Sequence, residues 1–424
     1  MLLLWTVDRG PWTNGAYQMY IYKTAVVGAG AMGAEIAQAI SFSGVPVLLK
    51  DVDQARVDKG LETIRKIYQR RVDRGKMTQD ELEQKLTLVT GVTDDKGFKD
   101  VDLVIEAVPE KLGLKQQIFR DLDRLVQDSA ILASNTSSLS ISALGGMTKR
   151  PQKIIGMHFF YPAHIMKLVE VIPGLETSEE TIGDVLSFAE SLRKLPVRVN
   201  ECPGFLVNRI LMPYLNEAAY CVQEGAASPR EIDEALVAFG FPMGPFTLVD
   251  NLGFDVCREV VNVLVDAYGS RMRPAEIWER LYALKRFGVK AGAGFYFYGD
   301  RAGQSDPELD HVLQELRAKQ KPPTEFSVNR LVLPMINEAI RCLEEHVCTA
   351  ADVDLAVIAG LGFPQSRGGI LHYADDVGLQ AVLSELERFA KTFGDRFWPS
   401  PLLKRKVAAG HLGKQAKKGF FDYP

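Results

Sequence analysis

Residues 23–53 read KTAVVGAGAMGAEIAQAISFSGVPVLLKDVD. A short run with β-branched side chains passes into three glycines, an alanine-rich stretch suited to a helix follows, and a second apolar run ends on acid. That order predicts a strand, a helix and a parallel strand. Gly28 allows the tight turn, Gly30 lets a pyrophosphate approach the backbone, and Gly33 lets the helix pack closely on the strand. Ala29, Ala31 and Met32 complete the turn, and the helix N-terminus faces the phosphates. Asp51 closes the second strand, where a carboxylate accepts both ribose hydroxyls and repels a 2′-phosphate, so NAD is favoured over NADP.

The same alternation continues outward. ELEQKLTLVTGV, VDLVIEAVPE, AILASNTSSLSI and KIIGMHFFYP are strand-like runs separated by helical stretches. They predict an α/β Rossmann-type, doubly wound, mostly parallel sheet. Ligands of such sheets lie beyond the carboxyl ends of the strands. Glu110, Asn135 to Ser138 and His158 each follow a strand, and they are expected in one crevice.

His158 and Glu170 bracket the segment from 156 to 172, GMHFFYPAHIMKLVEVI. Alone, a histidine here reads as structural. In a cofactor crevice, with a carboxylate on the next extended run, it has what a general base needs: one ring nitrogen oriented and its cationic form stabilised. Oxidation of a secondary alcohol requires such a base as the hydride leaves carbon.

VVGAGAMG, EAVPEKLGLK, SNTSSL, GMHFF, MKLVEVI, PGFLVNRI, GFPMGPF and KAGAGFYFY stand in this order along the chain. In these motifs the sequence resembles the L-3-hydroxyacyl-CoA dehydrogenase family, from about Lys23 to the C-terminus. The resemblance implies that His158 is the catalytic base and Glu170 its partner. It implies that Ser137 and Asn208 hydrogen-bond the substrate, and that Glu110, Lys115 and Lys290 help Asp51 and the glycines hold the dinucleotide, beside Asn135 and Ser137. The family usually has asparagine at Tyr161, where a larger phenol would now face the cofactor. The family's CoA phosphates lie against the helix containing LETIRKIYQRRVDRGK, so Arg65, Lys66, Arg70, Arg71 and Arg74 are candidate contacts, although a solvated charged face is the ordinary reading of such a run.

Beyond residue 200 the pattern turns helical and repeats. Residues 207–236, VNRILMPYLNEAAYCVQEGAASPREIDEAL, return at 328–357 as VNRLVLPMINEAIRCLEEHVCTAADVDLAV. Asn208 pairs with Asn329, Pro213 with Pro334, Glu217 with Glu338, Glu224 with Glu345 and Asp233 with Asp354. The expected units are an N-terminal extension (1–21), a dinucleotide domain (22–200), a first helical copy (201–300), a charged, proline-bearing linker (301–324) and a second helical copy (325–424). The second copy has no glycine motif, no counterpart of His158 and Glu170, and no lysine in the place of Lys290, so it reads as structural. His346, His372 and His411 show no evident carboxylate partner in the sequence. Single-copy members of the family resemble homodimers joined through this domain, so the duplication implies an internal pseudo-dimer, monomeric or loosely dimeric. No hydratase-like unit is seen, and hydration of enoyl-CoA is not expected.

Composition narrows the partners. A net charge of −4 and 46% hydrophobic residues favour neither nucleic acid nor an anionic membrane. Five scattered cysteines lack metal-ligand spacing, which suits a reducing, cytoplasmic setting and argues against a metal site. The first twenty residues lack the charge pattern of a secretory leader. Two other functions remain: a dehydrogenase of a small CoA-free hydroxy or sugar acid, and a non-catalytic relative of the kind some lens crystallins resemble.

Overall fold

The computed structural model describes residues 20–318 and 326–424. The expected N-terminal extension therefore lies almost wholly outside the described residues, as does the end of the expected linker. Eight strands form one sheet: β1 (Thr24–Val27), β2 (Val47–Lys50), β3 (Val89–Val92), β4 (Leu103–Glu106), β5 (Ile131–Ser134), β6 (Ile154–Phe159), β7 (Leu168–Pro173) and β8 (Leu195–Arg198). Their spatial order is β3-β2-β1-β4-β5-β6-β7-β8, so the chain reverses direction across the sheet between β1 and β4. All pairs are parallel except β6 with β7. Neighbouring strand residues alternate between two cores. Ala25, Leu48, Val104 and Leu132 face one side, and Val26, Leu49, Ile105 and Ala133 face the other.

The first of those cores runs on into the helical units, so the sheet and the helices share one apolar interior. Helix Val207–Gln223 lies along its repeat mate Val328–Glu344, each with its proline inside. Between them, matching charges meet twice. Arg209 Nε and Nη1 reach Glu338 and Glu345 at 2.7 Å each. Arg330 Nε and Nη2 reach Glu217 and Glu224 at 2.7 and 2.5 Å. These four contacts are related by exchanging the two copies, as in an isologous interface. The second copy also touches the dinucleotide domain, where Asn200 at the end of β8 bonds the carbonyls of His346 and Val347.

The stretch expected as a plain linker contains a helix, Pro307–Arg317. Its Leu309, Val312, Leu313 and Leu316 are buried, and Asp306 caps its first turn. The spacing i, i+3, i+4, i+7 makes one apolar seam that the surrounding charges conceal in the sequence. Among the described residues no helix is long and apolar enough to cross a membrane.

Candidate active site

The glycine turn sits where β1 and β4 part. Gly28 has φ +107°, and a Cβ there would lie 2.6 Å from the Ala107 carbonyl oxygen. At Gly33 a Cβ would come within 1.8 Å of the Gly28 carbonyl oxygen, so the helix Ala31–Phe42 could not seat. At Gly30 a Cβ would meet nothing within 4 Å. That open cradle, at the exposed first turn of a helix with unpaired N–H groups, fits a dinucleotide pyrophosphate. Asp51 Oδ2 accepts the Ala29 N–H at 2.7 Å and Oδ1 accepts the Val52 N–H at 2.7 Å, so the acid braces the turn from β2 and keeps lone pairs for a ribose. Met32 is half-buried behind the turn.

Glu110 and Lys115 serve the neighbouring loop. Lys115 is 1% exposed, and its ammonium lies between Glu106 at 2.7 Å and Glu110 at 3.2 Å. Glu110 Oε1 in turn accepts the Ser137 N–H (2.8 Å), the Ser137 hydroxyl (3.3 Å) and the Thr136 hydroxyl. Burial pushes the Glu110 carboxyl up, but Lys115 and the bonds from Thr136 and Ser137 outweigh it and hold it below the ordinary carboxylate range. The buried lysine is thus placed to set the loop carrying Ser137. Asn135 Oδ1 accepts the Phe159 N–H at 2.8 Å, tying the same loop to the end of β6.

His158 and Glu170 are direct partners in the antiparallel register of β6 and β7. Twelve residues apart in the chain, their side chains meet at 2.7 Å, His158 Nδ1 to Glu170 Oε2. Glu170 is fully buried and His158 is 6% exposed, beside the rings of Phe160 and Phe205. A carboxylate on Nδ1 makes that nitrogen the donor and leaves Nε2 its lone pair. Asn208, in the first turn of the helical unit, donates through Nδ2 to the Ser137 carbonyl at 3.3 Å. Four of the sequence candidates therefore gather at one place: His158, Glu170, Ser137 and Asn208. Tyr161 is 62% exposed just past β6. Lys290 is paired with Asp255 at 2.6 Å within the first helical copy.

The basic helix Gln54–Asp73 divides in two. Arg65 pairs with Glu83 and Lys66 with Glu62, the solvated face that charge runs usually form. Arg70, Arg71 and Arg74 instead line a cleft of about 320 Å³ with Lys76, Lys167, Arg193 and Lys194. Sequence reasoning missed the last four: Lys76 ends the quoted basic stretch without being singled out, and Lys167, Arg193 and Lys194 come from distant parts of the chain. The cleft lining includes the apolar Phe42, Ile67 and the exposed Ile165, and the guanidinium of Arg71 lies over the Phe42 ring at 4.4 Å. Arg70, Arg71, Arg74, Lys76, Lys167 and Arg193 have no acidic partner within ion-pair distance among the described residues. Lys194 is buried, donates to the Ala163 and Met166 carbonyls, and is pushed down by burial to about 8. In the second copy, His372 does have a carboxylate partner, Asp354 at 2.7 Å. The same carboxylate accepts the Leu371 and His372 N–H groups, so the packing of two helices, which sequence spacing hides, makes this a cap.

A cradle for a pyrophosphate after β1 and, on β6 of the same sheet, an imidazole with one nitrogen held by a buried carboxylate belong to the nicotinamide-linked dehydrogenases. The family described as "3-hydroxyacyl-CoA dehydrogenase, NAD binding domain" matches residues 23–202, and its C-terminal domain matches twice, at 204–298 and 326–423. The chain belongs to the 3-hydroxyacyl-CoA dehydrogenase family, and its sheet domain is that family's NAD-binding domain. It is 38% identical over 408 residues to a glyoxysomal fatty acid beta-oxidation multifunctional protein of Brassica napus, covering 94% of this chain and 56% of that one. It is 40% identical over 396 residues to the fatty acid oxidation complex subunit alpha of Shewanella amazonensis, covering 92% and 56%. The chain thus spans little more than half the length of these curated relatives. The 3-hydroxybutyryl-CoA dehydrogenase structure of Escherichia coli K12 superposes with a TM-score of 0.83 at 29% identity, covering 92% of this chain and 99% of that one.

Proposed function

We propose that the chain interconverts an L-3-hydroxyacyl-CoA and its 3-oxoacyl-CoA with NAD, in fatty-acid β-oxidation or related acyl-CoA metabolism. The observation that carries this reading is the 2.7 Å contact of His158 with Glu170 across β6 and β7, with Nε2 left to accept a proton beside the loop that Asn208 and Glu110 hold. In oxidation His158 Nε2 takes the hydroxyl proton, and in reduction it returns it. Glu170 keeps the tautomer and stabilises the imidazolium. Ser137 and Asn208 hold the 3-oxygen and the thioester. Bound NAD supplies the hydride acceptor.

The cationic cleft favours a CoA ester over a free hydroxy acid, because unpaired guanidinium and ammonium groups around apolar side chains suit a phosphorylated nucleotide. The two helical copies are an internal pseudo-dimer, supported by the exchanged arginine–glutamate pairs. A cytoplasmic location accords with five free thiols.

NADH oxidation with acetoacetyl-CoA, compared with free acetoacetate, tests the substrate. His158→Ala should lower kcat by ~10² to 10⁴ with NADH affinity nearly unchanged. Equal rates on acetoacetate, or an active His158→Ala enzyme, would overturn the reading.

A further inference from the structure

Glu170 is held from two domains. While Oε2 meets His158, Oε1 accepts the N–H groups of Leu206 (3.0 Å) and Val207 (2.9 Å), at the start of helix Val207–Gln223. Such donors stabilise a buried carboxylate as the anion and spread its charge, which sets how strongly it favours an imidazolium on its other side. What aims the two N–H groups is the turn before the helix. Gly204 has φ +76° and Phe205 φ +49°.

A left-handed phenylalanine is uncommon, because its Cβ crowds the backbone. This one is closed by its own N–H to the Cys202 carbonyl (3.0 Å) and is buried with its ring 6.0 Å from the ring of His158. Extended backbone at residue 205 would rotate the next two N–H groups away from Glu170. Asn208, the following residue, would leave Ser137 with them.

We infer that Phe205 is a positioning residue, whose left-handed backbone turns the first donors of the helical unit onto Glu170 and so completes the imidazole–carboxylate pair only when that unit is docked on the sheet. The inference rests on the dehydrogenase reading above.

The test separates backbone from ring. Asparagine and glycine accept a left-handed φ but lack the ring, whereas valine resists that φ through its branched Cβ. The pH profile of kcat/KM for hydroxyacyl-CoA oxidation is read for Phe205→Asn, Phe205→Gly and Phe205→Val. Phe205→Val should lower kcat about tenfold and displace the acid limb by ~0.5 unit or more, with KM for NAD held within about twofold. Phe205→Asn and Phe205→Gly should leave the limb in place. Equal losses in all three with an unmoved limb would reduce Phe205 to ring packing and overturn the inference. Should Phe205→Val fail to fold, Phe205→Ala, which takes the left-handed region at less cost than valine, must give an intermediate displacement. The wild-type rate and His158→Ala test the dehydrogenase reading independently. The downfield proton NMR signal of the His158 Nδ1–H, lost in Phe205→Val and kept in Phe205→Asn, reports the geometry without any turnover.

Discussion

Arg330→Ala should cost the helical units about 4 kcal/mol. The side chain is fully buried, with Nε on Glu217 at 2.7 Å, Nη2 on Glu224 at 2.5 Å, and its guanidinium 3.9 Å from the centre of the Phe393 ring. Removing one partner of a buried pair costs ~3–5 kcal/mol, because the other charge is left behind. Glu217 keeps Arg396 at 2.6 Å, which argues for the lower end, about 3 kcal/mol, and loss of the ring contact adds about 1 kcal/mol. For a unit of this size the sum corresponds to a fall in Tm of ~8–16 °C. Thermal and urea unfolding followed by circular dichroism measure it. The double change Arg330→Met with Glu217→Met should recover part of the loss, since the charges left behind, Glu224 and Arg396, already pair with each other at 3.4 Å. Light scattering at micromolar concentration should report a monomer for the wild type. A loss under ~1 kcal/mol, or a double variant no better than the single, would refute the claim that these pairs fasten copy to copy.

Gly30→Ala should melt within ~1 °C of wild type, since its Cβ meets no protein atom, yet bind NADH at least ~tenfold more weakly by calorimetry; Gly33→Ala should fail on stability instead. Replacing Arg70 and Arg193 together by alanine should raise KM for acetoacetyl-CoA about tenfold and leave KM for the pantetheine thioester, which lacks the nucleotide, unchanged. Glu110→Gln tests linkage. The Glu110 carboxyl has a lowered pKa in the folded chain, so its contribution is complete above the ordinary carboxylate range and vanishes as pH falls through the folded value. The stability advantage of wild type over Glu110→Gln, measured by urea unfolding, should be constant above about pH 5 and shrink below about pH 4.

What the sequence made legible was chemistry carried by residue type at fixed spacing. Three glycines, an acid at the end of the second strand and a helical repeat each have few physical explanations. The meeting of His158 with Glu170 was legible too, because both sit on consecutive extended runs. What stayed hidden depends on packing between distant segments. The enclosure of the Lys115 ammonium by Glu106 and Glu110 depends on how strand and helix pack and is signalled by no spacing. The cleft draws cations from three segments, and only Arg70, Arg71 and Arg74 were candidates in the stretch that drew notice. The donors to Glu170 from Leu206 and Val207 are main-chain atoms, invisible to any motif. His372 finds Asp354 across two helices, and the helix at 307–317 hides its seam among charges.

The ladder between β6 and β7 pins residues 158 and 170 at the same rung, and the nine residues from 160 to 168 lie beyond its last rung, Phe159 with Val169. The contact of His158 with Glu170 is thereby fixed by strand register, and of the residues beyond that rung Phe160 packs its ring against the imidazole. Ile165 and Lys167, which border the cationic cleft, and the exposed Tyr161 can exchange identity while the rung stays where it is, since the loop between them is tied down separately by Lys194 through the Ala163 and Met166 carbonyls. Under the proposed function, variation on the cleft side of this loop changes substrate contacts while strand register keeps the imidazole on its carboxylate.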